Sequence, residues 1–320
     1  MKRYKCTVAY AGSRFAGWQT QKNNTSVQET IEEVLFSITG VPTKITGAGR
    51  TDAGVNAEGQ VFHFDTDRVM TPYKWKGAMN AFLHPDIHII SVEEAEDTFH
   101  ARYNVLSKQY DYRINLGEYD VLNRERVFQC PYKLNVEKME EASRYFVGTH
   151  DFTSFNSTSL QEKPDQVRTV ESIIFRREGD VLCISYTGRG FLRYMVRMMS
   201  GMLVEVGRGK IPPERIREIL EERRKTTAVK NAPAEGQTLA KVNYYRVYAE
   251  NDVLLVRDCL PEDEEYGKYD SGTCAVCRRN DTCVIALVTA DTMILKDNTE
   301  LSEEDMLCIR EAQRRLSERK

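Results

Sequence analysis

Apolar residues recur at every second position in residues 3–10, where Tyr4, Cys6, Val8 and Tyr10 share one face. That period marks a half-buried strand. The period then changes: Val27, Ile31, Val34, Leu35 and Ile38 fall at helical spacing, Ser26 and Glu29 form a capping box ahead of them, and Gly40 supplies the stop. Residues 43–47 and 60–66 read as two further strands, 72–82 as a helix opened by Pro72, and 87–92 as a closing strand. Strand, helix, strand, strand, helix, strand is the split βαβ arrangement.

The same order returns further along. Residues 107–115 read as a strand and 136–147 as a helix carrying Met139, Ala142, Tyr145 and Phe146. Strands at 167–177 and 181–187 flank the turn Glu178-Gly179-Asp180. A helix from near Phe191 to Val206, a second helix over 211–224, and a strand pair at 239–248 and 253–257 complete the half. The expected fold class is therefore α+β, with two tandem ferredoxin-like (RRM-like) βαββαβ halves, each with an antiparallel sheet, and a catalytic cleft between them. The expected divisions are residues 1–103, 104–258, and a small acidic, Cys-containing extension over 259–320. Within that extension residues 260–271 read as a linker, 284–289 as a short apolar run and 303–316 as an amphipathic segment.

Charge sharpens this division. The 320-residue chain has a net charge of −3, but residues 259–320 alone carry −5, so the first 258 residues are mildly basic at +2. A nucleic-acid partner is compatible with such a body. No apolar run approaches the ~20 residues of a membrane span, and the N-terminus lacks the apolar stretch of a signal peptide, which together point to the cytoplasm. Of the eight cysteines, Cys6, Cys130 and Cys183 sit in apolar stretches and read as small buried hydrophobes. Cys274, Cys277 and Cys283 have a single CxxC, with Cys259 and Cys308 as further donors; without a second pair the preferred reading is a metal-free tail.

The densest chemical signal is GAGRTDAGVNAEGQVFHFDT, residues 47–66, where glycines surround Arg50-Thr51-Asp52. Glycines let the backbone take unusual angles and let a ligand approach closely. On local grounds alone, a tight turn capped by its own Asp explains the same residues.

GAGRTDAGV followed by GQV resembles the signature of the tRNA pseudouridine synthases of the TruA type. The resemblance extends over roughly residues 3–257, through YAGSRFAGWQTQ, SVQETIEEVL, SKQYDYRI, GFLRYMVRMMSGMLVEVGRGK and APAEGQTLAKV. It implies that Asp52 is the catalytic carboxylate, that Tyr110 is the active-site tyrosine, that Arg197 pairs with Asp52, and that Leu239 makes an apolar contact to the base. It further implies isomerisation of uridines 38, 39 and 40 in the anticodon stem-loop of tRNA by a homodimer. The sequence departs from the family pattern at Asn56, usually His, at Arg193-Tyr194 and at Gln237-Thr238.

The reaction breaks the N1–C1′ bond, turns the base and rejoins it through C5. A carboxylate in Asp52's position can attack C1′ or remove the C2′ proton, and the residues leave both routes open. Pairing with Arg197 is expected to hold Asp52's pKa low. Tyr110 offers a ring to stack on uracil and a hydroxyl to move a proton. Arg50 suits a phosphate or the space left when the base swings out. Arg14, Lys22, Arg168, Arg189, Arg193, Arg208 and Lys210 are candidates for the RNA backbone, with Arg208 and Lys210 foremost because they follow the catalytic helix. No step requires a metal, a nucleotide cofactor or any other. Two competing readings are an idle RNA-binding protein and an Asp-dependent hydrolase. The first lacks an RNP-type aromatic strand and the second lacks a partner acid.

Overall fold

The computed structural model describes residues 1–244, 246–250, 253–257, 284–288 and 293–295. The first stretch contains β1 (Lys2–Tyr10), α1 (Val27–Thr39), β2 (Ile45–Gly47), β3 (Asn56–Thr66), α2 (Pro72–Phe82) and β4 (Ile87–Ala95). Local chemistry explains the two helices. Ser26 accepts the Glu29 amide and Gly40 closes α1 in the left-handed conformation, while Thr71 accepts the Lys74 amide ahead of Pro72 in α2. The alternation in β1 is real: Tyr4, Cys6, Val8 and Tyr10 are all buried. Trp75 of α2 packs on Tyr4 and Phe64 of this sheet.

The second stretch contains β5 (Val105–Asn115), β6 (Phe128–Gln129), α3 (Val136–Ser143), β7 (Gly148–Asp151), β8 (Val167–Glu178), β9 (Val181–Gly188), α4 (Met195–Gly207), α5 (Arg215–Glu222) and β10 (Gln237–Tyr244). Two helix starts fall later than the hydrophobic pattern predicts. Tyr194 has φ 63°, outside the right-handed helical region, so α4 begins after it, with the Met198 amide on the Tyr194 carbonyl. Pro212 and Pro213 disfavour helical backbone before them and donate no hydrogen bond, so α5 begins at Arg215 rather than 211. The helix over 136–147 shortens to α3 followed by a single 3-10 turn, Arg144–Phe146.

The strands run in the order β4-β1-β3, with β2 on β3, and β10-β5-β9-β8, with β7 at the edge, all paired antiparallel, while β6 joins β5 in parallel. The expectation of two separate sheets does not hold. Thr238 and Leu239 of β10 pair in parallel with Asn56 and Ala57 of β3, and this seam fuses everything into one ten-stranded sheet. The seam also explains why β3 starts at Asn56 instead of Gln60.

The strand expected over 239–248 is two strands. β10 ends at Tyr244 in the large sheet. β11 (Arg246–Glu250) and β12 (Val253–Arg257) instead form a second, four-stranded sheet with β13 (Val284–Val288) and β14 (Met293–Leu295). Sheet membership thus changes near residue 245, ahead of the expected division at 258. Cys259, Cys274, Cys277, Cys283 and Cys308, the 260–271 linker and the 303–316 segment lie outside the described residues. Among the described residues no helix is long and apolar enough to cross a membrane.

Candidate active site

Asp52 lies in the turn between β2 and β3, and a second loop builds the seat for it. Gly17 has φ 100°, and a Cβ there would stand 2.6 Å from the Thr51 carbonyl oxygen, so only glycine lets the two loops meet. The contact is fastened by hydrogen bonds. The Trp18 amide donates to the Thr51 carbonyl at 3.1 Å and the Gly54 amide to the Phe15 carbonyl at 3.3 Å. Gly54, with φ 79°, turns the chain after Asp52, where the Val55 amide returns to the Asp52 carbonyl at 3.2 Å. Side chains hold the rest of the loop. Lys108 Nζ donates to the Ala48 carbonyl at 2.9 Å, Gln60 Nε2 to the Gly49 carbonyl at 3.0 Å, and the Tyr10 hydroxyl lies 2.7 Å from Thr51 Oγ1.

Asn56, where the sequence departs from the family pattern, knits three segments together. Its Oδ1 accepts the Gly12 amide at 2.8 Å and its Nδ2 donates to the carbonyls of Glu125 and Glu235, each at 3.2 Å.

Asp52 opens into a cleft of about 910 Å³. Its lining comes from both halves, and seven cationic side chains, Arg50, Arg102, Lys108, Lys163, Arg168, Arg189 and Arg193, face two carboxylates, Asp52 and Glu162. Walls of one charge sign focus the field on a polyanion. Arg197 Nη1 stands 3.9 Å from Asp52 Oδ2, while its Nε is anchored on the Ala232 carbonyl at 2.8 Å. This pair does not hold the Asp52 pKa low, contrary to expectation. Burial dominates and pushes the carboxyl up to about 6, with Arg197 and Arg193 offsetting only part of that. At 3.9 Å and without a hydrogen bond, the guanidinium cannot replace the water the carboxylate has lost.

Tyr110 of β5 lines the cleft, its ring meeting Phe191 edge-on at 5.3 Å. Burial, then the neighbouring Tyr10 and Asp52, raise its pKa, so the hydroxyl stays protonated at neutral pH. Leu239 pairs across from Tyr110 but is 1 % exposed and does not line the cleft. Leu239 lies in the core beside Tyr110, and Gln237, on the same face of β10, lines the cleft.

The remaining candidates divide. Arg50, Arg168, Arg189 and Arg193 line the cleft, whereas Arg14, Lys22, Arg208 and Lys210 do not. Arg14 pairs with Asp86 at 3.3 Å, and Arg208 pairs with Glu205 at 2.6 Å while lying over the Tyr132 ring. The pattern missed Lys108, two positions before Tyr110 and so on its face of β5, a placement strand periodicity could have given. It also missed Tyr194, whose ring lies under the guanidinium carbons of Arg193 and Arg197, at 5.1 and 5.0 Å from its centroid. Its left-handed backbone, costing about 1–2 kcal/mol for such a residue, has no signature in periodicity. Among the described residues no group of three or more His, Cys, Asp or Glu side chains gathers as a metal site.

The model of a protein family described as tRNA pseudouridine synthase matches residues 7–104 and 142–245, which together supply the Asp52 loop, most of the cationic lining and β10. The chain is 44 % identical over 246 residues to tRNA pseudouridine synthase A 1 of Bacillus cereus, covering 76 % of this chain and 99 % of that one. It is 43 % identical over 245 residues to tRNA pseudouridine synthase A of Anoxybacillus flavithermus, covering 76 % and 99 %, and 43 % identical over 247 residues to that of an Exiguobacterium, covering 77 % and 100 %. The chain therefore belongs to the tRNA pseudouridine synthase family, a family of isomerases.

Proposed function

We propose that the cleft isomerises uridine to pseudouridine in the anticodon stem-loop of tRNA, at positions 38, 39 and 40, with Asp52 as the catalytic carboxylate. The observation that carries this reading is the seating of Asp52: a buried carboxylate in a loop that a second loop fastens on either side of it, at Thr51 and Gly54, at the wall of a cleft with seven cationic side chains. In the overall reaction the N1–C1′ bond breaks, a C5–C1′ bond forms, C5 gives up its proton and N1 gains one. No group is added or lost. Asp52 serves by attacking C1′ or by taking the C2′ proton to leave a glycal; both need the ionised carboxylate, which prevails above pH 6. Tyr110, kept neutral by burial, can relay the C5 proton only by accepting one while giving another. Phe191 and Tyr110 offer aromatic faces for the extruded base. Arg50, exposed at the mouth, suits a phosphate or the place the base has left, and Arg168, Arg189 and Arg193 suit the backbone.

The same reading takes residues 1–245 as the catalytic body, derived from a duplicated βαββαβ unit, acting as a cytoplasmic homodimer on one tRNA. Residues 246–320, which include the expected extension over 259–320, are an appendage that the chemistry does not use. The test is tRNA tritiated at uridine C5. Release of tritium to water is expected, with pseudouridine found at positions 38–40. Binding without release would leave an idle RNA-binding protein, and release of free uracil would indicate a hydrolase.

A further inference from the structure

Tyr194 stands out among the described residues as the aromatic side chain with a positive φ, 63°, at a position that lines the cleft. Strained backbone that survives beside a site points to a role in that site. The strain has a geometric effect. A left-handed residue at the helix N-cap breaks the approach to α4 and sets the Tyr194 ring under the Arg197 guanidinium, one turn on, with the two centres 5.0 Å apart. Arg197 needs such a hold. Its side-chain hydrogen bond, Nε to the Ala232 carbonyl, fixes the stem, and the end that faces Asp52 stands 3.9 Å from the carboxylate, beyond hydrogen-bond reach. An aromatic face within 6 Å of a guanidinium restrains it there.

Resting on the proposed catalytic role of Asp52, we infer that Tyr194 is a positioning residue for the isomerisation, holding the Arg197 guanidinium beside the Asp52 carboxylate. Asp52 faces Arg197 and Arg193 from α4 and its lead-in, Tyr110 from β5 and Arg50 from its own loop, with Lys108 and Arg189 lining the same cleft. Arg197 is the leading charge that favours the ionised carboxylate. Loosening it should leave burial less opposed.

The test compares Tyr194→Asn, which suits a left-handed backbone, with Tyr194→Phe, which keeps the ring. Single-turnover tritium release is followed from pH 5 to 8. In Y194N the acid limb should move up by roughly half to one pH unit, lowering the rate at pH 6 by about threefold to tenfold, with tRNA affinity within about threefold. Y194F should restore the wild-type limb. Arg197→Gln should move the limb at least as far, and Y194N added to R197Q should move it by less than Y194N alone does, the remainder belonging to Arg193, which lies over the same ring; an undiminished second shift would mean that the ring does not act through Arg197. The Asp52 carboxyl signal of 13C-aspartate protein, assigned by its loss in D52N, should titrate higher in Y194N without tRNA present. An unmoved Asp52 titration in folded Y194N, or a loss confined to tRNA affinity, would overturn the inference. If wild-type protein releases no tritium, the catalytic reading fails, while the carboxyl titration still decides whether Tyr194 governs Arg197.

Discussion

Replacing Asp52 by Asn should cost the protein its activity and repay it in stability. Asp52 titrates near 3.8 in an unfolded chain and at about 6 in the fold. Each pH unit of that difference is worth about 1.36 kcal/mol, so keeping the carboxylate ionised inside the cleft opposes folding by about 3 kcal/mol at pH 7 and above. The sign follows from proton binding. The native state holds the Asp52 proton more tightly than the unfolded chain, so this residue's contribution to stability declines as pH rises from about 4 to 6 and stays low beyond. Asp52→Asn keeps the shape and removes the titration. Its melting temperature should exceed the wild type's by roughly 6–12 °C at pH 8, on about 2–4 °C per kcal/mol for a body of this size, and the difference should vanish below about pH 3, under the unfolded-chain value. Tritium release should fall by at least ~10³, because only positioning remains, and tRNA should still bind. Calorimetric melts across pH, paired with single-turnover assays, measure both. A variant less stable than wild type at pH 8, or one keeping a tenth of the rate, would make Asp52 a turn-capping residue and refute the mechanism.

In the wild type, the single-turnover rate should fall about tenfold per pH unit below 6 as Asp52 is protonated, and a flat profile down to pH 5 would mean that another group limits the chemistry. Arg168→Ala should lower the salt slope of tRNA binding by about 0.7–0.9, the release expected for one phosphate, whereas Arg14→Ala, outside the cleft, should leave it unchanged; equal slopes in the two variants would place the RNA elsewhere. Lys108→Met should slow the bound-state rate more than it weakens binding, because the Ala48 carbonyl loses its donor; a loss in Kd with the rate intact would make Lys108 an RNA contact only. A chain ending at residue 245 should fold and keep its tritium release, since the large sheet ends at Tyr244; a folded but inactive product would assign the appendage to catalysis.

Most of the fold was legible where local chemistry decides it. The alternation in β1, the Ser26 cap of α1 and Pro72 at the start of α2 each depend on a few neighbouring residues. The parallel seam was not legible, because pairing of Asn56 with Thr238 depends on partners far apart in the chain and leaves no period. Asp52, Arg50 and Tyr110 could be placed from motif and resemblance, and all line the cleft. The state of Asp52 was misjudged for a physical reason. Proximity to an arginine can be inferred from a motif, but a separation of 3.9 Å and the depth of burial cannot. The burial of Leu239, 1 % exposed, was not legible either, since strand pattern gives a residue's face and not its depth.

The seam between β3 and β10 also sets an order of events in the life of the chain. During synthesis β1 to β4 leave the ribosome first and can pair among themselves, carrying Asp52 in its loop. Yet Asn56 finds the Glu235 carbonyl, and Ala57 its strand partner, only after another 179 residues or so have followed. Until β10 arrives the loop that carries Asp52 lacks the strand that joins it to the rest of the sheet. On the proposed role of Asp52, a chain that stops short of β10 should therefore be inactive, the last strand of the body serving as the safety catch of the first loop.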